Sequence, residues 1–281
     1  MKKRIIVFVI PLLLIVGGVC FFQYKSDIFN VNANEQTASQ TIADDHYRKI
    51  VYAFVSSAEN SSIDYQNQYA YIEDIQDGRG YTAGIIGFTS GTGDLLEVIN
   101  EYRKLKPDNN MLEPYIETLE AVNGTDSHEG LGKSFVEDWR QVGQTTEMTQ
   151  AQDNIVDNMY LNPAVAFAEK DHLSLLGQYI YYDALVVHGP GEDPDSFNGI
   201  RKEALQNSNA PSKAGNEADY LKAFLKARTK IMLKEEAHED LSRIRFQEQL
   251  IDERNYELEL PISWEMYGDE FRLAEEDVVE Q

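Results

Sequence analysis

Apolar residues along this chain recur mostly three and four apart, the spacing of one helix face, and only two short stretches read as strand instead. Ile50, Val51, Phe54, Val55 and Ala58 mark one such face, and Asn60-Ser61-Ser62 breaks the pattern directly after Glu59. Glu59 is therefore expected at a helix end. Tyr69 to Ile75 and Tyr81 to Thr89 are rich in aromatic and β-branched residues and read as short strands, joined by the turn Asp77-Gly78-Arg79-Gly80. Asp94 followed by Glu97 has the form of a capping box with Asp at the cap, opening a helix through Leu95, Leu96, Val98, Ile99 and Tyr102. Further helical patterns occupy Met111 to Val122, Ser134 to Val142, Thr146 to Tyr160, Pro163 to Lys170, Leu173 to Val187, Gly199 to Gln206, Glu217 to Glu236 and His238 to Asp252. The pattern predicts a mainly α protein of the α+β class with a small β-sheet, and shows no internal repeat.

The N-terminus departs from that pattern. Lys2, Lys3 and Arg4 precede an apolar run from Ile5 to Phe22, interrupted only by Pro11 and the pair Gly17 and Gly18. This is the layout of a secretory signal, with Val31-Asn32-Ala33 supplying a cleavage site after Ala33. The expected organisation is a signal segment over 1–33, a polar linker over 34–44, one catalytic domain over 45–275 and an acidic tail over 276–281. Such a protein is secreted and free of the membrane; the alternative is a membrane anchor, because the apolar run borders on spanning length. Cys20 is the chain's one cysteine, so the cleaved protein would carry none and would owe its stability to packing without disulfides.

Charge narrows the partners. Forty-eight acidic residues against 25 basic give a net charge of −23, and removal of the signal would take away more basic than acidic groups. A surface of that sign repels nucleic acid and anionic lipid and attracts a polycation. His46, His128, His172, His188 and His238 are scattered without metal-ligand spacing, and Gly91-Thr92-Gly93-Asp94 lacks the lysine and length of a phosphate loop. No metal and no nucleotide or other cofactor is expected.

Three runs carry more specific information: SSAENSS over 56–62, YIEDIQDGRGYT over 71–82 and GIIGFTSGTGD over 84–94. Together they resemble the active-site region of the glycoside hydrolase family 46 chitosanases, and the resemblance extends from about His46 to about Gly268. It implies a lysozyme-like two-lobed fold with a substrate cleft between lobes. It further implies a monomeric, endo-acting hydrolase of the β-1,4 linkages in chitosan, a glucosamine polymer that is itself a polycation. Within the resemblance Glu59 matches the general acid, Asp77 the carboxylate that activates water, and Thr82 the hydroxyl that helps to position that water in an inverting reaction. Arg79 falls beside the base, and Asp94 on an acidic residue that recognises a protonated glucosamine. Thr89 stands where some relatives carry cysteine.

The chemistry suits those residue types. Glycosidic cleavage needs one carboxyl to protonate the leaving oxygen and a second either to attack the sugar or to activate water. A carboxyl backed by apolar neighbours such as Phe54 and Val55 suits the first task, and one in a polar turn beside Arg79 the second. A further constellation begins at Asp183, which interrupts the apolar pattern Tyr181 to Val187; a buried carboxylate there needs cationic partners. The resemblance suggests Arg228 and Arg243, as an ion network behind the cleft. His188, next to a sharp turn, and Glu235 with Glu239, one helical turn apart, are further candidates for contact with a cationic sugar. A lysozyme-like peptidoglycan hydrolase is the enzymatic alternative, which the acidic chain disfavours, and a non-catalytic cell-surface carbohydrate-binding protein is the alternative from another class.

Overall fold

The structure is a computed structural model that describes residues 40–76, 78–234 and 240–279. The signal segment, the linker up to residue 39, Asp77, Glu235, Glu239 and the last two residues lie outside the described residues.

Helix α1 (Asp45–Asn60) is the axis of the molecule, with an unbroken run of buried residues from Ile50 to Ala58. Phe54 meets Tyr179, Phe246 and Trp264 at ring separations of 5.0–5.1 Å, so one side chain of α1 joins three later elements. Ser61 follows in the left-handed conformation, φ 50°, and stops the helix just past Glu59. The segment before α1 is docked: Ile42 is buried, and its N–H donates to Gln178 Oε1 at 2.9 Å.

After α1 comes a three-stranded antiparallel sheet in sequence order, β1 (Ile72–Asp74), β2 (Tyr81–Ala83) and β3 (Phe88–Thr89). Register places Glu73 and Thr89 on either side of Thr82. Both strands are shorter than the aromatic and β-branched pattern suggests. Gln66–Ala70 is a 3-10 turn instead, because helix side chains satisfy the backbone there. Gln152 donates to the Tyr69 carbonyl, and Trp139 and Arg140 donate to the Tyr71 and Ile72 carbonyls. Tyr81 to Thr89 is split by Gly84 and Gly87, both at positive φ. Their turn folds β3 back onto β2.

Helices α2 (Asp94–Leu105), α3 (Ile116–Val122), α4 (Lys133–Val142) and α5 (Thr146–Val156) surround the sheet and form one lobe. A π-helical turn, Asp157–Leu161, leads without a break into α6 (Asn162–Asp171). The second lobe comprises α6, α7 (Leu175–His188), α8 (Phe197–Asn207), α9 (Glu217–Met232) and α10 (Ser242–Asp252). Helix α7 is buried on nearly every side, which is why its sequence is apolar all round rather than amphipathic.

Two features at the C-terminus were not expected. Strands β4 (Ile262–Met266) and β5 (Asp269–Leu273) form an antiparallel hairpin, and Ile262, Trp264 and Met266 are buried while Ser263 and Glu265 are exposed. Tyr267 and Gly268, φ 52° and 85°, make the tight turn that fits the twist of such a hairpin. Beyond it the expected acidic tail is, through Val279, a short helix α11 (Glu275–Val279) with Val278 buried. The architecture is mainly α with a small sheet, two lobes sharing one continuous apolar core through α1.

Candidate active site

The end of α1 opens onto a cleft whose empty space, open solvent included, is about 470 Å³. Its walls come from Glu59 and Asn60, from Gln68 and Tyr71 ahead of β1, from Ile75 after it, from Thr82 on β2, and from Ile86 and Gly87 in the β2–β3 turn. Glu59 and Thr82, apart in sequence and on separate elements, thus face one space. The Thr82 side chain is 4% exposed, and its hydroxyl has no hydrogen-bond partner among the described residues. A buried hydroxyl is costly unless it is paired, and the residue that carries this one lines the cleft.

Glu59 is held from behind. Arg243 on α10 donates from Nη1 to Glu59 Oε1 at 2.7 Å and from Nε to Asp183 Oδ1 at 2.7 Å. On the other side of Asp183, Arg228 Nη1 donates to Oδ2 at 2.5 Å and Gln247 Nε2 to the same oxygen at 2.7 Å. The four network residues other than Glu59 are at most 4% exposed. Burial opposes ionisation of Asp183, yet the charges and hydrogen bonds of Arg243 and Arg228 outweigh it and hold the carboxyl well below the usual carboxylate range. The structure thus brings Asp183, Arg228 and Arg243 together and connects them to Glu59 by a direct bond. Gln247 was missed by sequence reasoning. It lies four residues after Arg243 on the same helix, a polar residue among Ile244, Phe246, Leu250 and Ile251, and that spacing was the available signal.

His188, a candidate for sugar contact, is also bound to Arg228. It is 4% exposed, and its Nε2 accepts from Arg228 Nε at 3.2 Å. A ring nitrogen that accepts from the Arg228 guanidinium joins His188 to the buried network.

Asp94 is the first residue of α2 rather than its cap. Gly93, φ 89°, occupies the cap position, and Glu97 donates its N–H to the Gly93 carbonyl, so the capping box does not form. Asp94 Oδ1 instead accepts from Thr89 N–H at 2.7 Å, from the Thr92 hydroxyl at 2.8 Å and from Leu95 N–H at 3.0 Å. Burial pushes its carboxyl above the ordinary value, against these bonds and the nearby Arg79 guanidinium. Asp94 therefore welds β3 to α2 and lies within electrostatic reach of Arg79. Arg79 is half-buried, and its carbonyl accepts from Gly91 N–H at 2.8 Å. Gly80 needs to be glycine: at φ 75° a β-carbon there would stand 2.3 Å from Ser90 Oγ. No cluster of three or more His, Cys, Asp or Glu side chains placed to hold a metal ion occurs among the described residues.

The model of glycosyl hydrolase family 46 matches residues 53–262. The chain belongs to this family. That match begins within α1 and ends in β4, and so spans both lobes and the cleft. Among curated proteins, the chain is 49% identical to a chitosanase of Nocardioides sp. (strain N106), over 84% of this chain and 84% of that one. It is 48% identical to a chitosanase of Streptomyces sp. (strain N174), over 83% and 84%. Among solved structures it is similar to a co-crystal structure of chitosanase OU01 with substrate, with a TM-score of 0.81 and 50% identity, covering 84% of this chain and 99% of that one. The family 46 fold accounts for the mainly α, lysozyme-like architecture, and family membership makes the protein a glycoside hydrolase.

Proposed function

We propose that the protein is an endo-acting chitosanase that hydrolyses β-1,4 linkages between glucosamine units with inversion of configuration. The observation that carries this reading is the cleft lined by both Glu59, anchored by Arg243, and Thr82, whose hydroxyl has no hydrogen-bond partner among the described residues. Glu59 protonates the leaving oxygen, Asp77 removes a proton from the attacking water, and the Thr82 hydroxyl holds that water in line. Arg243 occupies Glu59 Oε1, which leaves Oε2 to carry the proton. Asp94, Glu235 and Glu239 meet the protonated sugar amines, Arg79 meets neutral sugar oxygens beside the base, and His188 is buried. The substrate class rests on the relatives named above and on a net charge of −23, which draws a protonated polymer towards the cleft. The protein acts outside the cell as a monomer after loss of residues 1–33, without a cofactor.

The test is incubation of the purified protein with chitosan, chitin and peptidoglycan, reading reducing ends and the anomeric configuration of the first product by nuclear magnetic resonance. Hydrolysis of chitosan with initial α-anomer is expected. In an inverting site the carboxyls stand about 6.5 to 9.5 Å apart so that water fits between them. Initial β-anomer overturns the single-displacement mechanism, and preferred hydrolysis of peptidoglycan overturns the substrate assignment.

A further inference from the structure

The bond from Arg243 to Glu59 runs between two helices, α10 and α1, and the C-terminal hairpin meets each helix within two residues of it. Trp264 on β4 stands between them, its ring 5.1 Å from Phe54 of α1 and 5.0 Å from Phe246 of α10. Its Nε1–H donates to Ser57 Oγ at 3.0 Å, two residues before Glu59. At the other end of the bond, Tyr267 N–H donates to Ser242 Oγ at 3.0 Å, one residue before Arg243. Both serines are at most 1% exposed. A buried hydroxyl is costly unless it is paired, and these two also spend their own protons, Ser57 Oγ on the Phe54 carbonyl at 2.7 Å and Ser242 Oγ on Met266 Sδ at 3.6 Å. The form of the hairpin supplies the donors. Met266 and Asp269 are the last pair of its ladder, so Tyr267 and Gly268 make a two-residue turn and the Tyr267 N–H falls outside the ladder. The indole Nε1–H of Trp264 is a donor with no acceptor on its own ring. One donor thus goes to α1 and the other to α10.

We infer that the β4–β5 hairpin is a spacer that aligns the Glu59–Arg243 pair, with Ser57 and Ser242 as the positioning residues through which it acts. Its effect on rate rests on the reading of Glu59 as the acid. Glu59 is the last residue but one of α1, and helix ends fray, so an acid placed there needs restraint from outside its own helix. Stacked rings tolerate sliding and rotation, whereas a hydrogen bond holds its partner within a narrow range of distance and angle. The Trp264 stack therefore sets how far apart α1 and α10 stand, and the two hydroxyls set how the helices are turned towards each other.

The experiment measures kcat and KM on a soluble glucosamine oligomer, well below the unfolding midpoint, for Ser242→Ala, Ser242→Thr, Ser57→Ala and Trp264→Phe, and for Ser242→Ala combined with Arg243→Lys. Each alanine variant should lower kcat about three- to tenfold with KM unchanged, less than a misplacement of a full ångström would cost. Ser242→Thr keeps the acceptor and should retain most of the parent kcat. Ser57→Ala also removes the bond to the Phe54 carbonyl, which Trp264→Phe leaves in place, so equal falls in these two assign the effect to the hairpin. Trp264→Phe retains the stacks and carries the same test from the hairpin side. In the Arg243→Lys background the Ser242 change should cost no further kcat while still lowering the unfolding midpoint. Three results would each make the serines structural only and overturn the inference: parental kcat in the alanine variants despite a lower midpoint, a fall in Ser57→Ala that Trp264→Phe does not share, or losses that multiply in the Arg243→Lys background. Solvent exchange of the Arg243 guanidinium protons, followed by nuclear magnetic resonance, reads the same alignment without substrate. It should quicken in Ser242→Ala and in Trp264→Phe, and equal exchange in parent and variants overturns the alignment. A Glu59→Gln control separates the two readings, since parental kcat there removes the acid assignment while the exchange result still decides whether the hairpin holds the pair.

Discussion

Arg243 Nη1 reaches Glu59 Oε1 at 2.7 Å across the junction of α10 and α1. The same guanidinium is fixed to Asp183 by Nε, so the position of Glu59 depends on a carboxylate carried by a third helix, α7. A planar fork can serve two carboxylates at once, and an ammonium cannot do so in the same geometry. Arg243→Lys should therefore keep the charge and lose the alignment. The expected result is a fall in kcat of roughly ten- to a hundredfold, because a misplacement of about 1 Å has that consequence, together with a lower unfolding midpoint. Parental kcat in this variant, measured beside its thermal unfolding, would show that the bond to Glu59 does not orient it.

Asp183 supplies a pH dependence whose sign can be worked out. Its carboxyl is held below the ordinary range in the folded protein, against about 3.9 in an unfolded chain. A depressed folded value contributes stability that is fully present above the unfolded value and is lost as the pH falls below it. Asp183→Asn should thus be much less stable than the parent at pH 6, on the order of 3 to 5 kcal/mol for a buried pair broken on one side. The gap should narrow progressively below about pH 4. Denaturant midpoints of the two proteins at pH 3 and pH 6 check this, and a gap that does not change with pH would remove the linkage.

Thr82 separates function from stability. Its hydroxyl is buried and has no hydrogen-bond partner among the described residues, so Thr82→Val, which has the same shape, should be neutral or stabilising by about 1 kcal/mol. Activity should move the other way, falling about ten- to a hundredfold if the hydroxyl aligns the attacking water, and Thr82→Ser should restore much of it. A valine variant that is as active as the parent would leave the hydroxyl without a catalytic part.

The C-terminal hairpin is tied to α1 by Trp264, whose Nε1–H donates to Ser57 Oγ at 3.0 Å, two residues before Glu59. Trp264→Phe retains the stacking with Phe246 and Phe271 and removes that bond. A loss of about 1 kcal/mol is expected, measured as a shift of the urea midpoint. An unchanged midpoint would show that stacking alone attaches the hairpin.

Much of this was legible from the sequence where one local signal decided the outcome. The face of Ile50, Val51, Phe54, Val55 and Ala58 gives α1, and the polar break after Asn60 puts Glu59 at its end. Asp183 in an apolar helix called for cationic partners, because a buried charge has few other ways to persist, and the family resemblance named Arg228 and Arg243. The readings that failed depended on side chains arriving from elsewhere. Tyr69 has strand propensity, yet its carbonyl is taken by Gln152. Asp94 and Glu97 have the spacing of a capping box, yet the Thr89 amide and the Thr92 hydroxyl claim Oδ1. His188, next to a sharp turn, is buried and accepts from Arg228 Nε, a contact that its local sequence does not announce. The β4–β5 hairpin was legible in principle, since Ile262-Ser263-Trp264-Glu265-Met266 alternates apolar and polar ahead of Tyr267-Gly268.

Glu59 itself permits a substitution that divides chemistry from architecture. Glu59→Gln keeps a carbonyl oxygen able to accept from Arg243 Nη1, so the connection from α10 to α1 survives and the unfolding midpoint should stay close to that of the parent. What the amide lacks is a proton to give. If Glu59 is the general acid, kcat should fall on the order of 10² to 10⁴, with binding of glucosamine oligomers retained because neither the cleft walls nor the acidic surface has changed. Arg243→Lys offers the contrast, since there the acid is intact and only its placement is lost, and the fall in rate should be smaller while stability suffers more. The decisive pair of measurements is kcat and oligomer affinity for Glu59→Gln at a pH where the parent is fully active. Near-parental kcat would move the acid to another residue, and lost affinity with a matching loss of kcat would make Glu59 a binding group instead.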